Sequence, residues 1–373
     1  MGMLELMEIM AFDLKKVFSS LKSSAPSKPS KVLGIDFGSS SIKVVEVELQ
    51  NQVLTLNTYG ELQLGPYAEA EMGRVVKLPV SKRTEALIDI MRESAISAKN
   101  GVLSLALADS FVTIMSLPAS EKEDIAPRVP VEARKYIPVP LADVALEWSE
   151  LPKGEEKEGE EEIREVLLAA IQNEALAEDR ILMDSIQMVS QPSEIELFST
   201  LRAVTAANDA TLAVIDVGAH MSKLYIAEEG FLRRIHRVRA GGAQTTEGLS
   251  KLLGLPFEEA ENLKRNFTPS MPQAADIKKV MASNFDRAFQ EFKRVISQHE
   301  LRTGVPVSRI VLTGGCSTFH DFASYAGYAL DRQVELANPF KKVAYPAFME
   351  DTLKELGPTF ATALGAALRP FEQ

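Results

Sequence analysis

A chain of 373 residues is longer than one hydrophobic core usually supports, so two or more packed units are expected. An apolar content of 46% with 7% aromatics excludes the disordered and fibrous classes, and a single cysteine, Cys316, excludes an intramolecular disulfide framework and is compatible with a reducing compartment. A net charge of −11 argues against nucleic acid as principal ligand, no apolar run approaches the roughly 20 residues that span a bilayer, and no Cys/His cluster offers a zinc site.

The first thirty residues form a unit of their own. Met3, Leu6, Met7, Met10, Leu14, Val17, Phe18 and Leu21 recur at three- and four-residue spacing, which places them on one helical face, and 23–30 reads as a linker. Such a face suits docking on protein, its own or a partner's. From Lys31 the pattern turns to strands at 31–37, 42–49 and 52–61, with a Gly/Ser turn between the first two. An amphipathic helix at 84–99 and a buried strand at 101–107 follow. Residues 111–189 read as an inserted α+β unit, with a strand 111–117, a helix 121–135, strands 144–150 and 166–172, and a helix 175–185. Its acidic run, 153–162, reads as a solvated hairpin loop. After a helix at 195–205, the order strand, glycine turn, strand recurs at 212–217, Gly218 and 223–228. A mainly helical region to Thr303, a strand 309–313 and a closing helix 359–368 complete the chain. Two halves that open alike point to a duplicated architecture.

The chemistry concentrates at the repeated turns. In Gly34-Ile35-Asp36-Phe37-Gly38-Ser39-Ser40-Ser41-Ile42-Lys43, an apolar strand delivers Asp36 to a turn where Gly38 lets a ligand approach the backbone. The amides and hydroxyls of Ser39, Ser40 and Ser41 can form an anion-binding nest. In Ile215-Asp216-Val217-Gly218-Ala219-His220-Met221-Ser222-Lys223 the arrangement repeats. Two such turns facing each other would clamp a polyphosphate, with Asp36 and Asp216 placed to hold Mg²⁺, through water, beside phosphate oxygens. Taken singly, either motif reads equally as a tight β-turn, and no P-loop is present. A third element, Ile310-Val311-Leu312-Thr313-Gly314-Gly315-Cys316-Ser317, ends a buried strand in two glycines that let a flat base or ribose lie on the backbone.

In this order and at these separations, the three elements resemble the phosphate-1, phosphate-2 and adenosine motifs of the actin, sugar-kinase and heat-shock-chaperone superfamily, over about 31–368. The resemblance implies an actin-like, ribonuclease H-like two-lobed α/β fold with ATP and Mg between its halves. Residues 192–203 and 357–367 are similar to its two hinge helices. Gly241 and Gly242, followed by Glu261 and Lys264, resemble the segment that reaches the nucleoside, although Glu261 and Lys264 also read as a solvated i,i+3 pair. Glu194 or Glu196 would orient a water for hydrolysis, or be a solvated helix carboxylate. Lys43 would approach a phosphate, or end a strand at the surface. His220 reads as a polar loop residue.

The run Val129-Pro130-Val131-Glu132-Ala133-Arg134-Lys135-Tyr136-Ile137-Pro138-Val139-Pro140 is similar to the inserted subdomain shared by the FtsA and PilM families, and its 132–138 portion more specifically to PilM. Only Arg369 to Gln373 follow the closing helix, where FtsA-type proteins usually carry a linker and a membrane helix. The PilM resemblance implies five parts: an N-terminal segment 1–30; a subdomain from 31–110, 190–208 and 341–373; the insertion 111–189; a third subdomain from 209–240 and 309–340; and a fourth at 241–308. It further implies a cytoplasmic ATP-binding scaffold or switch of type IV pilus assembly, held at the inner membrane by partners. The partner would be the N-terminal cytoplasmic peptide of PilN, bound beside the insertion, with the pilus motor ATPases and self-association as further contacts. Hydrolysis would be slow or partner-dependent. The alternative is a filament-forming actin homologue of the FtsA type, acting in division or DNA segregation. A small-molecule kinase is disfavoured, because no sugar-binding acid/base constellation accompanies the phosphate motifs.

Overall fold

In the computed structural model, which describes residues 29–120, 123–152, 163–206 and 209–372, the chain builds three sheets. The amphipathic opening (1–28) and the acidic run 153–162 lie outside the described residues. The first sheet holds β1 (Lys31–Phe37), β2 (Ser41–Gln50), β3 (Val53–Gln63) and β4 (Asn100–Leu105), in the order β3-β2-β1-β4. Val32, Leu33 and Ile35 are buried on both faces of β1, as a central strand requires. The helix α1 (Val80–Glu93) covers one face with Ala86, Leu87 and Ile90. It starts after Pro79 and stops six residues short of the expected end, just before Ala95, which adopts φ 50°.

The inserted unit is an antiparallel sheet in the order β5-β7-β6, from β5 (Ser110–Pro118), β6 (Val144–Glu150) and β7 (Ile163–Gln172). The helix expected over 121–135 is only α2 (Val129–Ala133). Pro130 fits its first turn, and prolines at 138 and 140 keep the helix from resuming. The helix α3 (Asn173–Ser185) leads to two short strands, β8 (Val189–Ser190) and β9 (Glu194–Ile195), both paired with β4. The expected hinge helix 192–203 therefore opens as a strand, and its helical part, α4, is Glu196–Val204.

The second lobe repeats the first. β10 (Thr211–Val217), β11 (Ser222–Glu228), β12 (Phe231–Val238), β13 (Arg309–Thr313) and β14 (Glu335–Leu336) lie in the order β12-β11-β10-β13-β14. Just as β1 runs antiparallel to β2 and parallel to β4, β10 runs antiparallel to β11 and parallel to β13. The register matches too. Asp36 lies opposite Lys43 and Ser104, and Asp216 opposite Lys223 and Thr313. Four helices complete this lobe: α5 (Gly242–Leu253), α6 (Phe257–Arg265), α7 (Ala274–Thr303) and α8 (Phe322–Leu330). Phe285, Phe289 and Phe292 of α7 pack with Phe322 into its core.

The last helix, α9 (Glu350–Leu368), starts nine residues earlier than expected and runs through Pro358. It packs on the first lobe by close backbone approach. A Cβ on Gly34 would stand 1.9 Å from the Ala363 carbonyl oxygen, and one on Gly365 would stand 1.8 Å from that of Ser199 in α4. The Thr200 and Thr362 hydroxyls bond at 2.8 Å across the same crossing. The Pro358 carbonyl accepts from Gly314 N (2.9 Å) and Thr313 Oγ1 (2.7 Å), which ties the end of β13 to this helix.

Candidate nucleotide site

Both glycine turns close in the same way. Gly38 N donates to the Ser41 carbonyl at 3.0 Å, and Gly218 N to the Met221 carbonyl at 3.1 Å. In the first turn Ser39 and Ser40 are partly exposed, whereas Ser41 is buried. The Ser40 carbonyl accepts from Leu64 N and that of Ser39 from Val76 N, both at 2.9 Å, so the loop after β3 is anchored to the turn. Lys43 Nζ lies near Gly38 and 3.8 Å from Glu61.

The floor between the lobes is a charge cluster. Lys223 Nζ donates to Glu196 Oε2 at 2.8 Å and to Asp216 Oδ2 at 3.0 Å. The other oxygen of Glu196 accepts from Leu107 N at 2.8 Å. Burial works against the Lys223 charge, but the Asp216 and Glu196 carboxylates outweigh it and hold the ammonium well above its ordinary range. Asp36 accepts from Ser104 Oγ at 3.3 Å. Loss of solvent pushes its carboxyl up to about 6; Lys43 and Lys223 oppose that rise, while Glu196 and Asp216 add to it. Lys223 thus joins a carboxylate of each lobe through one ammonium.

The glycines of the second lobe stack closely beside this floor. Gly314, at φ 87°, occupies the left-handed region, and a Cβ there would meet Asp216 Oδ1 at 2.5 Å. A Cβ on Gly241 would stand 2.5 Å from the Ala219 carbonyl oxygen, and one on Gly242 would stand 2.6 Å from Cys316 Sγ. Gly315 faces open space. The Cys316 thiol donates to the Gly218 carbonyl at 3.2 Å, and burial raises it to about 11. Glu261 and Lys264 form an i,i+3 pair at 2.5 Å, but the pair is buried rather than solvated. Lys264 also donates to the Gly242 carbonyl (3.1 Å) and Thr246 Oγ1 (2.8 Å). Burial would raise the Glu261 carboxyl; Lys264, Thr246 and Arg265 hold it below its ordinary value. At the mouth, Arg265 donates to Gln63 Oε1 at 3.2 Å and the Arg74 guanidinium lies 3.7 Å above the Phe257 ring, so the loop after β3 reaches across to α6.

Asp36, Asp216, Glu196 and Lys43 therefore converge, as do Gly218, Ala219, Gly241, Gly242, Gly314, Glu261 and Lys264. Glu194 does not join them. Its buried carboxylate is held by Arg202 and Ser199, with Arg369 at 3.5 Å, in a network behind the cleft. Ser317 is buried, with its hydroxyl donating to the Gly314 carbonyl at 2.7 Å. The His220 carbonyl accepts from Gln244, consistent with a loop role. Sequence reasoning gave Lys223 and Thr246 no role. Lys223 carried a signal nonetheless, since Asp-x-Gly with a lysine five residues after the glycine occurs at Asp36–Lys43 and again at Asp216–Lys223. Among the described residues no group of three His, Cys, Asp or Glu could cage a metal ion. With Lys223 already between Asp216 and Glu196, the donors fit a cation that arrives with phosphates and keeps its waters.

The family model for type IV pilus assembly protein PilM matches residues 34–371. The chain belongs to the PilM family. The fold agrees: the structure of a PilM–PilN type IV pilus biogenesis complex superposes with a TM-score of 0.76 at 24% identity, covering 92% of this chain and 99% of that one. The ethanolamine utilization protein EutJ from Carboxydothermus hydrogenoformans superposes at 0.54 with 14% identity, over 98% of this chain and 99% of that one. This family member thus has an actin-like fold. Among curated proteins it resembles the cell division protein FtsA of Rhizobium meliloti (strain 1021), 25% identical over 59% of this chain and 57% of that protein. FtsA of Neisseria meningitidis serogroup B is 26% identical over 52% and 50%. The chain spans about half the length of the curated relatives it matches. Among the described residues no helix is long and apolar enough to cross a membrane.

Proposed function

We propose that this PilM-family chain is an ATP-dependent scaffold or switch in type IV pilus assembly. The observation that carries the reading is the pair of register-matched turns, each with an aspartate, a glycine and a lysine in equivalent places, beside the glycine stack of the second lobe. The amides that follow the two closing glycines, those of Ser39, Ser40 and Ala219, hold phosphate oxygens, and Lys43 and Lys223 offset their charge. Gly241, Gly242, Gly314 and Gly315 leave room for the nucleoside, with Glu261 and Lys264 fixing that wall. Mg²⁺ bound with the phosphates would neutralise them beside Asp36 and Asp216. Hydrolysis is slow in the isolated protein, because both oxygens of Glu196 are already engaged by Lys223 and Leu107.

One structure similar to this chain is that of a PilM–PilN complex, which supports a PilN-like partner here. Its N-terminal peptide would be captured at the inserted unit and would hold the chain at the inner membrane. Titrating such a peptide into the full chain, with and without Mg-ATP, tests both halves of the proposal. Peptide binding whose affinity changes with nucleotide is expected. Absence of peptide binding in both conditions overturns the partner assignment.

A further inference from the structure

We propose that the inserted unit reports the state of the cleft through an electrostatic latch at Glu165; the inference rests on the ATP-switch reading and names its regulation. Side chains alternate along β7, so Glu165, Leu167, Ala169 and Ile171 share one face while Val166, Leu168 and Ala170 face the unit's own core with Met115 and Val129. Leu167, Ala169 and Ile171 belong to one apolar cluster with Tyr225, Ala227 and Leu232 of the second lobe. On β11 the same alternation puts Lys223, Tyr225 and Ala227 on one face. One face of a single strand therefore carries the cleft ammonium at one end and, along the rest, side chains of the apolar cluster that the inserted unit shares. A shift of β11 that follows a change at Lys223 reaches β7 through this shared cluster.

Ion pairs fasten this seat. Glu165 Oε2 accepts from Arg233 of β12 and Glu165 Oε1 from Arg302 of α7, each at 3.1 Å. Arg233 also donates to the Pro152 carbonyl at 2.9 Å and lies 3.1 Å from Glu228, which pairs with buried His299 at 2.9 Å. Arg234 sits in the same group; burial, with Arg302 and Arg233 nearby, depresses its pKa. Three guanidinium groups of the second lobe thus face Glu228 and the carboxylate that the inserted unit brings. Without Glu165, Arg233, only 8% exposed, keeps its charge among like charges and the unit loses its ion pairs to Arg233 and Arg302.

Hydrogen exchange of the full chain, with and without Mg-ATP, tests the latch. In the native sequence, nucleotide should slow exchange by about fivefold or more, the lower range of usual couplings, in the turns at 38–41 and 218–221 and also in β5, β6 and β7. Glu165→Gln should keep the slowing in the turns and lose it in the three strands. Arg302→Gln removes a half-exposed partner, so it carries the test if Glu165→Gln fails to fold, and should reduce the strand response. Equal strand protection in the native chain and both variants overturns the latch. Protection of the turns but not of the strands in the native chain also overturns it. No protection of the turns at all instead refutes the ATP reading beneath it.

Discussion

Replacing Lys223 by methionine keeps most of the side-chain volume but removes the ammonium that lies 3.0 Å from Asp216 and 2.8 Å from Glu196. At an effective dielectric near 20, each of these contacts represents on the order of 5 kcal/mol of gross attraction. Desolvation of the 14%-exposed lysine takes back much of it. What remains on removing one partner of a buried pair is a loss of about 3–5 kcal/mol, because the other charges stay buried without it. Two carboxylates would then repel each other across the floor of the cleft. Glu196→Gln in the same background removes one of them and should restore part of the stability. A double-mutant cycle by denaturant unfolding should therefore give a coupling of about 2 kcal/mol between the two positions. Strictly additive losses would refute the reasoning, since they would mean that Lys223 and Glu196 do not sense each other.

Gly314→Ala places a Cβ in the left-handed region and 2.5 Å from Asp216, so it should destabilise by about 2–4 kcal/mol, and calorimetry should show weakened ATP binding at temperatures where the variant is folded. The Cys316 thiol, raised to about 11 by burial, should resist alkylation at pH 8 in the native chain and react fully after denaturation; adding ATP should slow the native reaction further, and a fast native reaction would contradict the burial. Asp179, buried beside Arg83, has its carboxyl raised to about 6, so the folded state binds its proton more tightly than the unfolded chain. Its contribution is present in full below pH 4 and is lost as pH rises through 6; the shift corresponds to about 3 kcal/mol, and unfolding of Asp179→Asn between pH 4 and 7 should lack that slope.

The strands were legible because their chemistry is local. Val32, Leu33 and Ile35, or the uninterrupted apolar run before Asp216, admit little besides a central strand, and a glycine after each aspartate marks its end. β12 escaped because arginines and a histidine at 233, 234, 236 and 237 mask its alternation; those charges pair with groups on other elements, which no local pattern reveals. The start of α9 was missed because Pro358 reads as a boundary, yet helix continues through it where the Pro358 carbonyl is bonded to β13. At the site, the repeated turns gave Asp36, Asp216 and the glycines. The choice between Glu194 and Glu196 was not legible, because it depends on Arg202 and Lys223 claiming one carboxylate each.

Calorimetric titration of Mg-ATP into the full chain, repeated with Asp36→Ala and Asp216→Ala, tests the account most directly. Saturable one-site binding in the native chain, weakened at least about tenfold in each variant, or about 1.4 kcal/mol, is the predicted result. Undetectable binding in the native chain, or equal affinity in all three proteins, would contradict a nucleotide held between the two turns.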